Sequence, residues 1–295
     1  MTVVVSVAAY FFVYNYPATA GFLTPEEREH VLSRLRSDND ASREEKFTWN
    51  GVRLALKDPK IYLYGICFHT ICMPGYTLSL FLPIIINDLG YSATQAQLLS
   101  IPPHAIAFIT TMAFAVHAEK TKRRAPYIIL GSAVGIIGYI ILIASHWPGV
   151  SYAGTIVVAS GVYFAATIVL SWPANNVSGQ TKRATGSAVQ ISIGNIGSMI
   201  GTQLYRPRSS PRFFIGHGMV RPLVAGPRSP FERCAQLLPQ ALGYLVGNIV
   251  VTGTLWYIMK RENERRDRGE RDGRLKDVDE GAFLGDEDPR WRFQT

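Results

Sequence analysis

Cysteine is scarce in this chain: Cys67, Cys72 and Cys234 are the three present in 295 residues, with no CxxC pair and no histidine at metal-ligand spacing from them. That excludes a disulfide framework and gives no support to a zinc site. Charge is missing from long stretches. Residues 2–25, 61–87, 89–118, 125–181, 184–205 and 241–259 contain no Asp, Glu, Lys or Arg. A helix needs about 20 apolar residues to cross the roughly 30 Å hydrocarbon layer of a bilayer. Residues 125–181 are therefore long enough to cross, turn at Ser145, His146, Trp147, Pro148 and Gly149, and cross back. Also missing are a nucleophile–base–orienter cluster and a phosphate-binding glycine loop, so no enzymatic chemistry and no cofactor is expected.

What is present is a patchwork of charge-free and charge-dense blocks. In lipid the backbone must satisfy its own hydrogen bonds, and no alternating strand pattern competes, so each apolar run reads as a helix and the fold class as all-α. The formal charge of +8 invites a nucleic-acid reading. Its distribution argues against one. Residues 17–60 hold eight basic and eight acidic side chains and residues 260–295 ten and eleven, which is a solvated surface rather than a phosphate-tracking stripe. The expected partner is the lipid bilayer.

Seven membrane segments are predicted, roughly 3–20, 61–86, 98–118, 126–145, 152–172, 184–205 and 241–259. The first has no basic leader and carries an aromatic stretch from Tyr10 to Tyr16, as a spanning helix does at the interface. Basic residues are retained on the cytoplasmic side. In chain order the connections carry eight, none, four, none, two and six Lys or Arg, and the tail ten. This places the N-terminus outside and the C-terminus in the cytoplasm, with only residues 206–240 breaking the rule. Thr24, Pro25 and Glu27 form an N-cap, a first-turn proline and a capping glutamate ahead of a short amphipathic helix. Phe47 to Leu56 reads as a second one, along the lipid interface or packed in the cytosol.

Polar groups inside a membrane are expensive, so they are the candidates for a substrate path. His69 precedes the helix-loosening pair Pro74 and Gly75, and could bind an anion, carry a proton or bond a neighbouring helix. His104 follows Pro102 and Pro103 near the outer surface. Asn175 and Asn176 end the fifth segment, and Gln190 and Asn195 lie in the sixth among Gly186, Gly194, Gly197 and Gly201, whose spacing suits close helix packing. The turn Glu119, Lys120, Thr121, Lys122, Arg123, Arg124 is the strongest local signal, since an acidic residue and an arginine pair at two helix ends can exchange partners.

Four stretches carry a resemblance: PATAGFLTPEERE at 17–29, AEKTKRRAPY at 118–127, SWPANNVSGQTKRATGSA at 171–188 and ISIGNIGSMIGTQLYRP at 191–207, with RENERRDRG from Arg261. In these the chain resembles the C-terminal part of a major facilitator superfamily transporter, of the fungal allantoate and nicotinate organic-anion permease type. The resemblance implies proton-coupled uptake of a small organic anion (a carboxylate, vitamin or ureide) at the plasma membrane by alternating access. It gives Glu119, Arg123 and Arg124 a gating role; His69, Asn175, Asn176, Gln190 and Asn195 are expected as path residues from their polarity within the membrane. Glu119 stands where the family usually has Asp. The family has twelve helices, and the seven here correspond to its last seven: 1–20 closes the first half, 21–60 is the central loop, 61–259 the second half and 260–295 the tail. The gene model is therefore expected to be truncated and the chain not to transport alone. Residues 219–240 look foreign, with four prolines and codons compatible with fungal intron ends, and read as a non-helical insertion or retained intron. By helix count alone, a seven-helix receptor is the alternative.

Overall fold

The computed structural model describes residues 5–7, 9, 20–37, 47–88, 90–145, 147–203, 230–275 and 285–295. Among these there is no strand. The chain runs α1 (Pro25–Ser37), α2 (Trp49–Lys57), α3 (Pro59–Asp88), α4 (Ala93–Leu99), α5 (Ile101–Thr121), α6 (Ala125–Ala144), α7 (Pro148–Asn176), α8 (Gln180–Gln203) and α9 (Pro230–Asp267), followed by short 3-10 turns at Asp272–Leu275 and Gly285–Glu287. The all-α reading holds. Helix ends follow local chemistry: the Thr24 hydroxyl accepts from the Glu27 amide (3.3 Å) while the Glu27 carboxylate accepts from the Thr24 amide (3.0 Å), and Ser92 and Gln95 form the same box before α4.

Four helical stretches among the described residues are long and apolar enough to cross a membrane: Ala93–Thr121, Ala125–Ala144, Pro148–Asn176 and Gln240–Asp267. The expected crossing at 3–20 lies mostly outside the described residues. One expectation fails. Residues 220–240 were read as non-helical because of their prolines, yet α9 begins at Pro230 and runs unbroken through Pro239 and Gln240 to Asp267. A proline in the first turn costs nothing, because that amide has no helical partner, and a helix of 38 residues tolerates one interior proline. Residues 219–229 lie outside the described residues. The same helix also continues two turns into what the charge pattern assigned to the tail.

The α6–α7 hairpin is the tightest contact. A Cβ at Gly131 would stand 2.7 Å from the Gly161 carbonyl oxygen, and one at Gly161 2.6 Å from that of Gly131, so the two backbones touch and only glycine fits. α7 is the central helix, with 56% of its most apolar part buried against 11% for the Ala93–Thr121 stretch of α4 and α5. Ile137, Ile140 and Ile143 on α6 and Phe108, Ile109 and Met112 on α5 face outward, the pattern of a protein whose solvent is lipid. Of the α8 glycines singled out in the sequence, Gly186 meets Ile61, Gly194 the Phe68 ring and Gly197 the His69 backbone, all on α3. Gly201 lies outside the described side chains.

Candidate functional site

At the end of the bundle that carries the basic connections, Arg124 occupies the N-cap of α6, buried to 5% exposure. Lys122 just before it adopts a left-handed backbone (φ 52°), which ends α5 and folds the turn back. Arg124 then reaches across the helix ends. Its Nη2 donates to the Glu119 carboxylate, and Nη1 donates to Ser171 Oγ on α7 at 2.6 Å. Its Nε donates to Gln294 Oε1 at 3.4 Å, and with the Asn175 amide turned so that its oxygen faces the guanidinium, Nε also donates to Asn175 at 3.1 Å. Burial draws the guanidinium below its ordinary pKa and the Glu119 carboxylate opposes that, so the group stays charged. Glu119 itself is 65% exposed, so this pair has one wet member and one dry one. Such a pair can open without leaving its acidic partner buried and unpaired.

The sequence-predicted residues divide into two groups. Glu119, Arg124, Asn175 and Asn176 converge at one end of the bundle, with Asn176 Nδ2 donating to the Gln294 carbonyl (3.1 Å) and its Oδ1 accepting from the Gln294 amide (2.7 Å). Arg123 is exposed and makes no ion pair among the described residues. The others are scattered. His69 Nδ1 lies 3.1 Å from the Ile193 carbonyl across the α3–α8 contact, its ring tilted against Tyr244. Gln190 is fully buried and donates to the Val169 carbonyl at 2.9 Å. Asn195 is exposed on α8, and His104 bonds the Ser100 carbonyl of its own first turn. Asn175 and Asn176 belong to the last turn of α7, which continues through Pro173.

The sequence reading missed two sets of residues. Asn248 on α9 is fully buried; it donates to the Cys67 carbonyl (2.8 Å) and Thr70 Oγ1 (2.9 Å) on α3 and accepts from Ser132 Oγ (2.9 Å) on α6. Being the lone amide in an apolar run, it met the same criterion as His69. Ser171 and the residues from Asp286 onward carried no such signal, because their partners lie far away in sequence. Among the described residues there is no group of His, Cys, Asp and Glu able to hold a metal ion.

The Major Facilitator Superfamily profile matches residues 1–202. An uncharacterized transporter of Schizosaccharomyces pombe, C11D3.18C, is 33% identical over 253 residues, covering 86% of this chain and 47% of that protein. A high-affinity nicotinic acid transporter of Saccharomyces cerevisiae is 27% identical over 276 residues, 92% of this chain and 47% of that protein. The MFS-type transporter cnsO of Penicillium expansum is 30% identical over 295 residues, 96% and 53% respectively. The chain spans about half the length of the relatives it matches. These relatives are transporters, which does not favour the receptor alternative or an enzyme. On the family match and the apolar helices together, the chain is an integral membrane protein that belongs to the Major Facilitator Superfamily.

Proposed function

We propose that the chain forms one half of a secondary transporter that moves a small organic anion together with protons across the plasma membrane. In this reading residues 1–20 close the preceding half, 21–60 link the halves, 61–259 form the second half, and 260–295 lie in the cytoplasm. Residues 219–240 are an insertion, which transcript sequencing across that segment would test. The observation that carries the reading is the Arg124 network. It ties the α5–α6 turn to α7 through a charged side chain with one wet partner, as a contact that breaks and re-forms between two states requires. Substrate class rests on the nicotinic acid transporter among the relatives. His69, Gln190 and Asn195 would be path residues only in contact with the other half.

The test is uptake of radiolabelled nicotinate by yeast cells lacking their own system and expressing the complete reading frame. Glu119→Ala should slow uptake at least ten-fold with surface abundance unchanged. A parallel loss of uptake and abundance would assign the turn to folding instead.

A further inference from the structure

The end of the chain beyond α9 crosses the site. Arg266, in the last turn of α9, is 6% exposed and donates to the carbonyl oxygens of Asp286 (2.9 Å), Asp288 (3.2 Å) and Trp291 (3.0 Å). A buried guanidinium needs its donors filled, and here three backbone carbonyls and the Glu262 carboxylate (3.4 Å) take part. Asp286 accepts from Lys182 at the start of α8 (2.7 Å) and lies 3.5 Å from Lys60 on α3. The Phe293 ring, nearly buried, sits between the Lys60 ammonium (4.3 Å) and the Arg266 guanidinium (4.7 Å). Its backbone exchanges two 2.9 Å hydrogen bonds with the Asn263 side chain on α9. The Gln294 carbonyl accepts from the Trp172 indole (2.9 Å) on α7, and the Thr295 carbonyl accepts from the Arg124 amide (2.9 Å).

We propose that residues 286–295 form a strap that positions the Glu119–Arg124 pair. The strap is anchored to α3, α8 and α9 by fixed, mostly buried bonds, and it reaches the start of α6 at Arg124 and the end of α7 at Trp172 and Asn176. Its hold on Arg124 is the lightest part: one backbone bond and one 3.4 Å side-chain bond. The strap is built to stay on α9 while letting go of Arg124, and its grip sets how readily the pair opens. The role as a control on gating rests on the transporter reading. The contact between strap and pair does not, and it can be tested without substrate.

Linkage supplies the test: if the strap stabilises the pair, the pair stabilises the strap to the same degree. Backbone hydrogen exchange of the full chain in lipid nanodiscs reads this directly, because the Arg124 amide is bonded to Thr295 and the Gln294 amide to Asn176 where the strap meets α6 and α7, while the Phe293 amide, bonded to Asn263, reports the anchor on α9. In the unaltered protein all three should be protected. Phe293→Ala should speed exchange at Arg124 at least ten-fold, and Phe293→Trp should restore protection. Glu119→Gln should in turn speed exchange at Gln294 while leaving Phe293, held by Asn263 on α9, protected, which simple packing of a tail would not do. Amides near Val158 and Val162 in α7 report whether each variant is folded. Unprotected strap amides in the unaltered protein overturn the proposal. A protected Gln294 amide indifferent to Glu119→Gln overturns it equally. Failure of nicotinate uptake would count against the transporter reading and leave this result standing.

Discussion

Asn248 and Arg124 each join three helices, and they do it with different chemistry. Asn248 lies inside the apolar part of α9 and uses only neutral groups: a carbonyl, two hydroxyls and its own amide. Arg124 lies at the helix ends and uses a charge balanced by the exposed Glu119. In lipid a neutral amide that loses its partners finds no water, so the Asn248 contact is stable because it has no alternative. Glu119 can be hydrated when released, so the Arg124 contact can be remade. Under the proposed function, the difference separates a fixed joint from a movable one within the same half.

The heaviest blow to this comparison is one that removes the surface both joints stand on. Gly161→Val puts side-chain atoms where the Gly131 backbone lies, with no flexible side chain to yield. Overpacking typically costs about 1–3 kcal/mol, and backbone against backbone belongs at the top of that range. The folded peak in size-exclusion chromatography of the detergent-extracted protein should be lost. Arg124→Lys separates charge from geometry: the ammonium keeps the charge but cannot reach Glu119, Ser171, Asn175 and Gln294 as one planar fork. Uptake per molecule should fall at least ten-fold at unchanged abundance. Asn248→Ala removes the acceptor of the buried Ser132 hydroxyl and the amide donor to Thr70 and the Cys67 carbonyl, and thermal denaturation should register a loss of about 1–3 kcal/mol.

The smallest effect is one of pH. Burial pulls the Lys182 ammonium down, but Asp286 and Asp58 outweigh it and leave its pKa raised. The folded value therefore lies above the ordinary lysine value of about 10.4. Its stabilising contribution is complete below that ordinary value and is lost as pH rises through the higher, folded one. Near-UV circular dichroism should show a slight loosening above about pH 10.4 in the unaltered protein and none attributable to this contact in Lys182→Ala.

The helices were legible in the sequence because a membrane makes the signal coarse: a charge-free run has few alternatives. The same coarseness hid the extent of α9, since a rule that prolines break helices ignores that Pro230 stands at a first turn. In the candidate site, Glu119 and Arg124 were legible because their sequence neighbours already place them at two helix ends. Gln294 and Phe293 were not, because their meaning depends on Asn176 and Asn263, and no local pattern in a mixed-charge tail specifies such a partner. Asn248 could have been found by weighing every lone amide in the apolar runs alike.

The claim that one joint moves and the other does not is tested most directly by uptake of radiolabelled nicotinate per folded molecule in two variants of the complete reading frame. Arg124→Lys should keep abundance and lose at least ten-fold in uptake per molecule, whereas Asn248→Ala should lose abundance and keep uptake per molecule within about two-fold. If both variants lose uptake only in proportion to abundance, the Arg124 network is a fixed joint as well, and the account is wrong.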